Sequence, residues 1–115
     1  MIPCNINLYI LLYNKDTLEY NILSTKENKL QTPKISVELS CSINDLLKKI
    51  FENHIDMDAF FTHFVIGDIL ITKDSLDLCY YTLIQYNTKI KDGFLLPIKY
   101  NEISSPALQK ILSKL

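Results

Sequence analysis

A single change of hydrophobic period governs what this chain can fold into. Ile43, Leu46, Leu47, Ile50 and Phe51 recur at i, i+3, i+4, i+7 and i+8, which is the apolar stripe of an amphipathic helix. Ser42 stands where an N-cap belongs, and Asp45 lies three residues later, at the positive end of the helix dipole. The spacing therefore predicts a helix over 42–53. On both sides of it the pattern is that of strands, so the helix must be covered by, and must cover, a sheet.

The strand pattern can be followed segment by segment. Residues 5–13 alternate and are rich in Ile, Leu and Tyr; Asn14-Lys15-Asp16 is turn chemistry; Leu18, Tyr20 and Ile22 then recur with period two. This predicts a hairpin over 5–25, followed by a polar loop over 26–34. Ile35, Val37 and Leu39 alternate with polar residues and predict a short strand. Beyond the helix, 59–66 and 69–71 read as strand, interrupted at Gly67-Asp68. Residues 76–86 form a long strand, 94–98 a short one, and 100–104 a loop. Ser105 and Pro106 open a second helix, over 105–115, with Ala107, Leu108, Ile111, Leu112 and Leu115 on its apolar face. The fold class is α+β: one domain, 1–115, with a mixed sheet and two main helices.

Composition narrows the partners. Twelve basic residues against 13 acidic ones give a net charge of −1, which argues against a phosphate-coating nucleic-acid binder. Every basic residue is lysine, so no planar guanidinium fork is present for a phosphate or carboxylate. With 16 Ile and 9 Asn, that bias fits an AT-rich genome. Cys4, Cys41 and Cys79 are too few and too widely spaced for a disulfide framework or a zinc motif. They predict reduced thiols and a cytoplasmic protein. The start of the chain lacks the charged and apolar regions of a signal peptide, and no apolar run reaches membrane-spanning length.

The order of elements resembles the Nudix family. The likeness is carried by the opening hairpin, by Pro33 to Ile55 in place of the Pro-Gly-Gly turn and catalytic helix, and by Phe60 to Tyr86 as the next hairpin with its Gly67-Asp68 pair. Gly93 to Leu115 matches the family's ending. The resemblance implies an α/β/α sandwich and, in active members, a cluster of glutamates that holds a divalent cation and hydrolyses a diphosphate. This chain departs from the box G-x5-E-x7-R-E-U-x-E-E-x-G-U. With Phe51 in the buried aliphatic position, Lys49 replaces the Arg, while Ile50, Asn53 and His54 replace three Glu. Cys41 and Ile35 replace the upstream Glu and Gly, and Glu52 falls between ligand positions.

The expectation is a catalytically inactive Nudix-like domain, without cofactor or metal, that acts by binding. Its partners would be a nucleotide-type ligand of the ADP-ribose or NAD kind, a protein, or a second copy of itself; nucleic acid and membrane are not expected. The candidate surface is the former catalytic face, with Lys34, Glu38, Lys49, Glu52, Asn53 and His54 as ligand-binding candidates. The alternative is a metal-dependent hydrolase of nucleoside diphosphate derivatives using relocated acids, Glu38, Asp56, Asp58 and Asp68. His63 and the aromatics Phe60, Phe61, Phe64, Tyr80, Tyr81 and Tyr86 read as sheet and core residues.

Overall fold

The computed structural model describes residues 3–37, 42–98 and 105–115, and the backbone but not the side chain of Phe61. The predicted residues Glu38, Leu39 and Cys41 and the loop 100–104 lie outside the described residues.

The strands are β1 (Cys4–Asn14), β2 (Glu19–Ser24), β3 (Lys34–Val37), β4 (Val65–Ile71), β5 (Leu76–Gln85) and β6 (Phe94–Pro97). The helices are α1 (Ile43–His54) and α2 (Pro106–Leu112). All six strands join one sheet, ordered β4-β5-β1-β2-β6. β1 runs parallel to β5 along ten residue pairs, from Cys4 opposite Leu76 to Tyr13 opposite Gln85. Its other edge is shared: Cys4–Asn7 pair with β3 and Leu11–Asn14 with β2, both antiparallel. No described helix is long and apolar enough to cross a membrane.

β1 is apolar at nearly every position because both of its faces are covered. Cys4, Ile6, Leu8, Ile10 and Leu12 point to one face, where they pack with Leu47, Ile50 and Phe51 of α1. Tyr9 and Leu11 point to the other, against Ala107, Leu108 and Ile111 of α2. The sheet is thus sandwiched between the two helices. Phe51 is fully buried and meets Phe64 edge-on at 5.9 Å between ring centroids.

Local chemistry sets the turns. The Asn14 side-chain carbonyl accepts from the N–H of Asp16 at 3.0 Å, closing the β1–β2 turn, in which Leu18 takes a left-handed φ of 57°. Ser24, completely buried, donates its hydroxyl to the Lys29 carbonyl at 2.7 Å and accepts from Gln31 N–H at 3.0 Å, so one side chain folds the polar loop after β2. Ser42 caps α1 and Ser105 caps α2 as the sequence predicts.

Two predicted boundaries are corrected. The strand expected over 59–66 begins only at Val65; Ala59–Phe61 form a single 3-10 turn. The cause is local capping: the Asp58 carboxylate accepts from Phe60 N–H at 2.9 Å, and that of Glu52 from Ala59 N–H at 3.2 Å. The second helix ends at Leu112, and Leu115 is 43% exposed rather than part of the apolar face. The interruption at Gly67 is real: the β4–β5 register shifts between Ile66 and Asp68. A Cβ at Gly67 would collide with the Ile111 side chain, so glycine there permits α2 to lie close on β4.

Truncating the Phe51 ring should remove the contact that seats α1 on the sheet. We expect Phe51→Ala to lower stability by about 3–5 kcal/mol in urea unfolding, more than any single exposed residue of α1.

Candidate functional site

The predicted site residues fall on two elements. Lys34 opens β3 opposite Asn7, and its side chain is exposed. Lys49, Glu52 and Asn53 lie on exposed positions of α1, and His54, half-buried, is its last residue. Glu38 lies outside the described residues.

At the end of α1 the side chains are engaged in holding the chain together. The ring Nδ1–H of His54 donates to the Asp92 carbonyl at 3.0 Å, and the His54 carbonyl accepts from Lys91 N–H at 2.8 Å. Ile55 bridges to Ile90, and Lys91 Nζ donates to the Glu52 carbonyl at 3.0 Å. The Glu52 carboxylate caps the turn at Ala59, as described above. The helix end thereby ties two connections, 55–61 and 89–92, to the sheet.

These commitments decide whether a divalent cation fits. The family's cation needs several carboxylate oxygens aimed at one point. Here Ile50 is buried in the core, Glu52 and Asp58 accept backbone N–H groups, and Asp56 lies 3.8 Å from Lys89. Among the described residues, no three His, Cys, Asp or Glu side chains gather into a potential metal site. The relocated acids do not converge either. Asp68 lies on the α2 side of the sheet, where Lys110 Nζ donates to its Oδ1 at 3.0 Å, whereas Asp56 and Asp58 follow α1.

The Asp68 carboxyl is only 9% exposed, and the hydrogen bond from Lys110 holds it below the ordinary carboxylate value against the opposing effect of burial. Beside it, burial pushes the Tyr9 hydroxyl and the Cys79 thiol above their ordinary values, so both stay protonated at neutral pH. Lys114 Nζ donates to the Gly67 carbonyl at 2.9 Å. These lysine contacts fasten α2 to the bulge in β4.

A cavity of about 610 Å³ lies where β4 and β5 part. Their pairing starts at Val65 opposite Tyr81, yet β5 continues to Gln85. The edge of residues 82–85 therefore faces a cavity instead of a strand. Thr62, His63, Tyr81, Thr82, Gln85 and Thr88 line it, together with Met57 and Leu115. The Thr62 hydroxyl oxygen is buried without a hydrogen-bond partner. A shallower cavity of about 400 Å³, lined by Glu52, Asp56, Asp58 and Lys91, shares Met57 with the first.

His63 was expected within a strand; it lies in the extended stretch before β4, exposed, and its side chain reaches the cavity. The aromatic expectation also divides. Phe64 and Tyr80 pack on the α1 core and Tyr81 on the α2 core, but Phe60 is 71% and Tyr86 43% exposed. The missed signal was Asp58, whose capping preference breaks the apparent strand and opens the cavity behind it.

No protein-family model and no curated protein sequence matches this chain. Solved structures do. One is a MutT/nudix family protein from Enterococcus faecalis, 11% identical, covering 84% of this chain with a TM-score of 0.61; this chain spans only 44% of that protein. Another is the NUDIX domain of Shewanella oneidensis NrtR complexed with ADP ribose, 13% identical, covering 96% of this chain and 84% of that one, TM-score 0.60. A third is the C-terminal domain of mouse MUTYH in complex with human PCNA, 10% identical, covering 98% and 86%, TM-score 0.62. The chain has a Nudix-like fold.

Two measurements test these contacts. Because the folded carboxyl of Asp68 is held below its unfolded value, its contribution is full above the ordinary carboxylate range and is lost as pH falls through the folded value. Unfolding midpoints measured from pH 7 down to about pH 2.5 should show Asp68→Asn losing stability at neutral pH but falling less steeply in acid than the parent. Separately, Glu52→Ala should cost about 1 kcal/mol through the lost cap at Ala59, read by chemical denaturation.

Proposed function

We propose that this chain is a Nudix-like domain that binds a nucleotide-type ligand of the ADP-ribose or NAD kind without hydrolysing it. The observation that carries this reading is the cavity beside the free edge of β5. Its size lies within the range of small-molecule sites. Its lining combines the hydrogen-bonding groups of Thr82, Gln85 and Thr88 with Tyr81 and the aliphatic side chains of Val65, Leu83 and Ile84.

Sugar hydroxyls and base edges suit neutral donors and acceptors of this kind. The adjoining cavity across Met57 sets Lys91 among Glu52, Asp56 and Asp58, so it offers no net positive charge to a phosphate. A ligand with its base or ribose in the larger cavity therefore leaves its phosphates to solvent. The disposition of the acids supports binding without hydrolysis, since Glu52 and Asp58 serve as caps. The ADP-ribose complex of a NUDIX domain with the same fold is consistent with this ligand class.

Isothermal titration and thermal shift with ADP-ribose, NAD and nucleoside triphosphates, each in EDTA and in Mg²⁺, test the proposal. One of them should raise the melting temperature by several degrees in EDTA, equivalent to about 2.7 kcal/mol at ~100 Kd. Gln85→Ala, which removes a hydrogen-bonding group from the cavity lining, should weaken binding about tenfold. A shift that requires Mg²⁺ and is accompanied by product would establish the hydrolase instead, and no shift with any nucleotide would end the proposal.

A further inference from the structure

We propose that the ligand is two-ended, a pair of nucleosides joined through a diphosphate, and that its second base binds at the carboxyl ends of β1 and β5, against Tyr86. This rests on the nucleotide reading above and adds a second subsite to it. β1 and β5 finish side by side, Tyr13 opposite Gln85. Where parallel strands end and their chains diverge, a crevice opens. After β1 the chain turns back at Asn14, whose side-chain carbonyl accepts from the N–H groups of Asp16 and Thr17 at 3.0 and 3.4 Å. After β5 it turns through Tyr86 and Asn87, closed by Thr88 N–H on the Gln85 carbonyl at 3.0 Å. Between the two turns lies a cavity of about 330 Å³. That is the small end of ligand-site volumes and suits one base or sugar ring. Because each turn is closed by its own hydrogen bonds, the walls are set before a ligand arrives.

Position and charge join this cavity to the larger one. Gln85 lines both, so they adjoin across it. Tyr81, Leu83 and Gln85 alternate along β5 and face one side of the sheet, and Tyr13 stands beside Gln85 on that side, its ring 4.8 Å from that of Tyr20. Tyr81 and Gln85 are four residues apart, about 13 Å of strand. A mononucleotide has one base and fills one cavity; two nucleosides joined by a diphosphate carry one base for each. The diphosphate then passes the half-exposed Leu83 in solvent. Of the two cavities that adjoin the larger one, only this one tolerates an anion nearby. Across Met57, Glu52, Asp56 and Asp58 outnumber Lys91. Across Gln85, Lys15 offsets Asp16, and the remaining lining is phenol and amide. Tyr86 is 43% exposed, so its ring is open to a base, whose edge Asn87 can hydrogen-bond.

Isothermal titration of the 115-residue chain in EDTA with AMP and with diadenosine diphosphate, whose two ends are alike, tests the second subsite. The parent should bind diadenosine diphosphate at least about tenfold more tightly than AMP. Tyr86→Ala should bring the two affinities within about twofold, while Tyr86→Phe, which keeps the ring, should retain the difference, each with an unchanged circular dichroism spectrum. AMP bound without preference for the two-ended ligand, or a preference that survives Tyr86→Ala, overturns the second subsite and leaves the nucleotide reading standing. Binding of neither compound overturns both.

Discussion

The parallel pairing of β1 with β5 is the constraint on which the other parts depend. A parallel pair cannot be closed by a tight turn, so the chain between them must leave the sheet and return. That crossover carries β2, β3, α1, the 3-10 turn and β4. It lays α1 across one face, while the other face is left for α2 to cover at the end of the chain. With both faces occupied from Leu8 onward, β1 runs apolar from Leu8 to Tyr13, whereas nearer its start Asn5 is polar and donates to the Asp77 carboxylate.

The same constraint places the cavity. β5 is held to β1 up to Gln85, so it cannot shorten; β4 is held to α2 through Gly67, Asp68, Lys110 and Lys114, so it cannot follow β5 further. Between Asp58 and Val65 the chain must bridge from the end of α1 to the start of β4. Capping by Asp58 and Glu52 coils its first part into a 3-10 turn, and the remainder, Thr62 to Phe64, runs extended. The space beside residues 82–85 of β5 is the gap that this path leaves open.

Much of this was legible in the sequence. The stripe Ile43, Leu46, Leu47, Ile50 and Phe51 located α1 within one residue, because a helix packed on a sheet must keep its apolar residues on one side. Ser105-Pro106 located the start of α2 in the same way. Two things were not legible. Ala59 to Ile66 has the composition of a strand, and its first part is overridden by hydrogen bonds to carboxylates at 52 and 58, one of them seven positions away. His63 acquires its place beside the cavity from that override, which no local pattern encodes. Nor does alternation show that β4 ends the sheet, since edge position is a property of topology and not of the segment.

Among the described residues, positions 50, 53 and 54 at the end of α1 form no acidic cluster. Gathering several carboxylates at one point costs stability through mutual repulsion unless a cation neutralises them. In this chain those positions carry an aliphatic side chain in the core, an exposed amide and an imidazole bonded to a loop carbonyl. None of them adds negative charge. The one carboxylate nearby, Glu52, accepts a backbone N–H that would otherwise stand at the open start of the 3-10 turn. Ile50 packs α1 into the core, and His54 ties its end to the loop after β5. The end of α1 fastens the connections 55–61 and 89–92, and Met57 of the first of them walls the cavity beside β5.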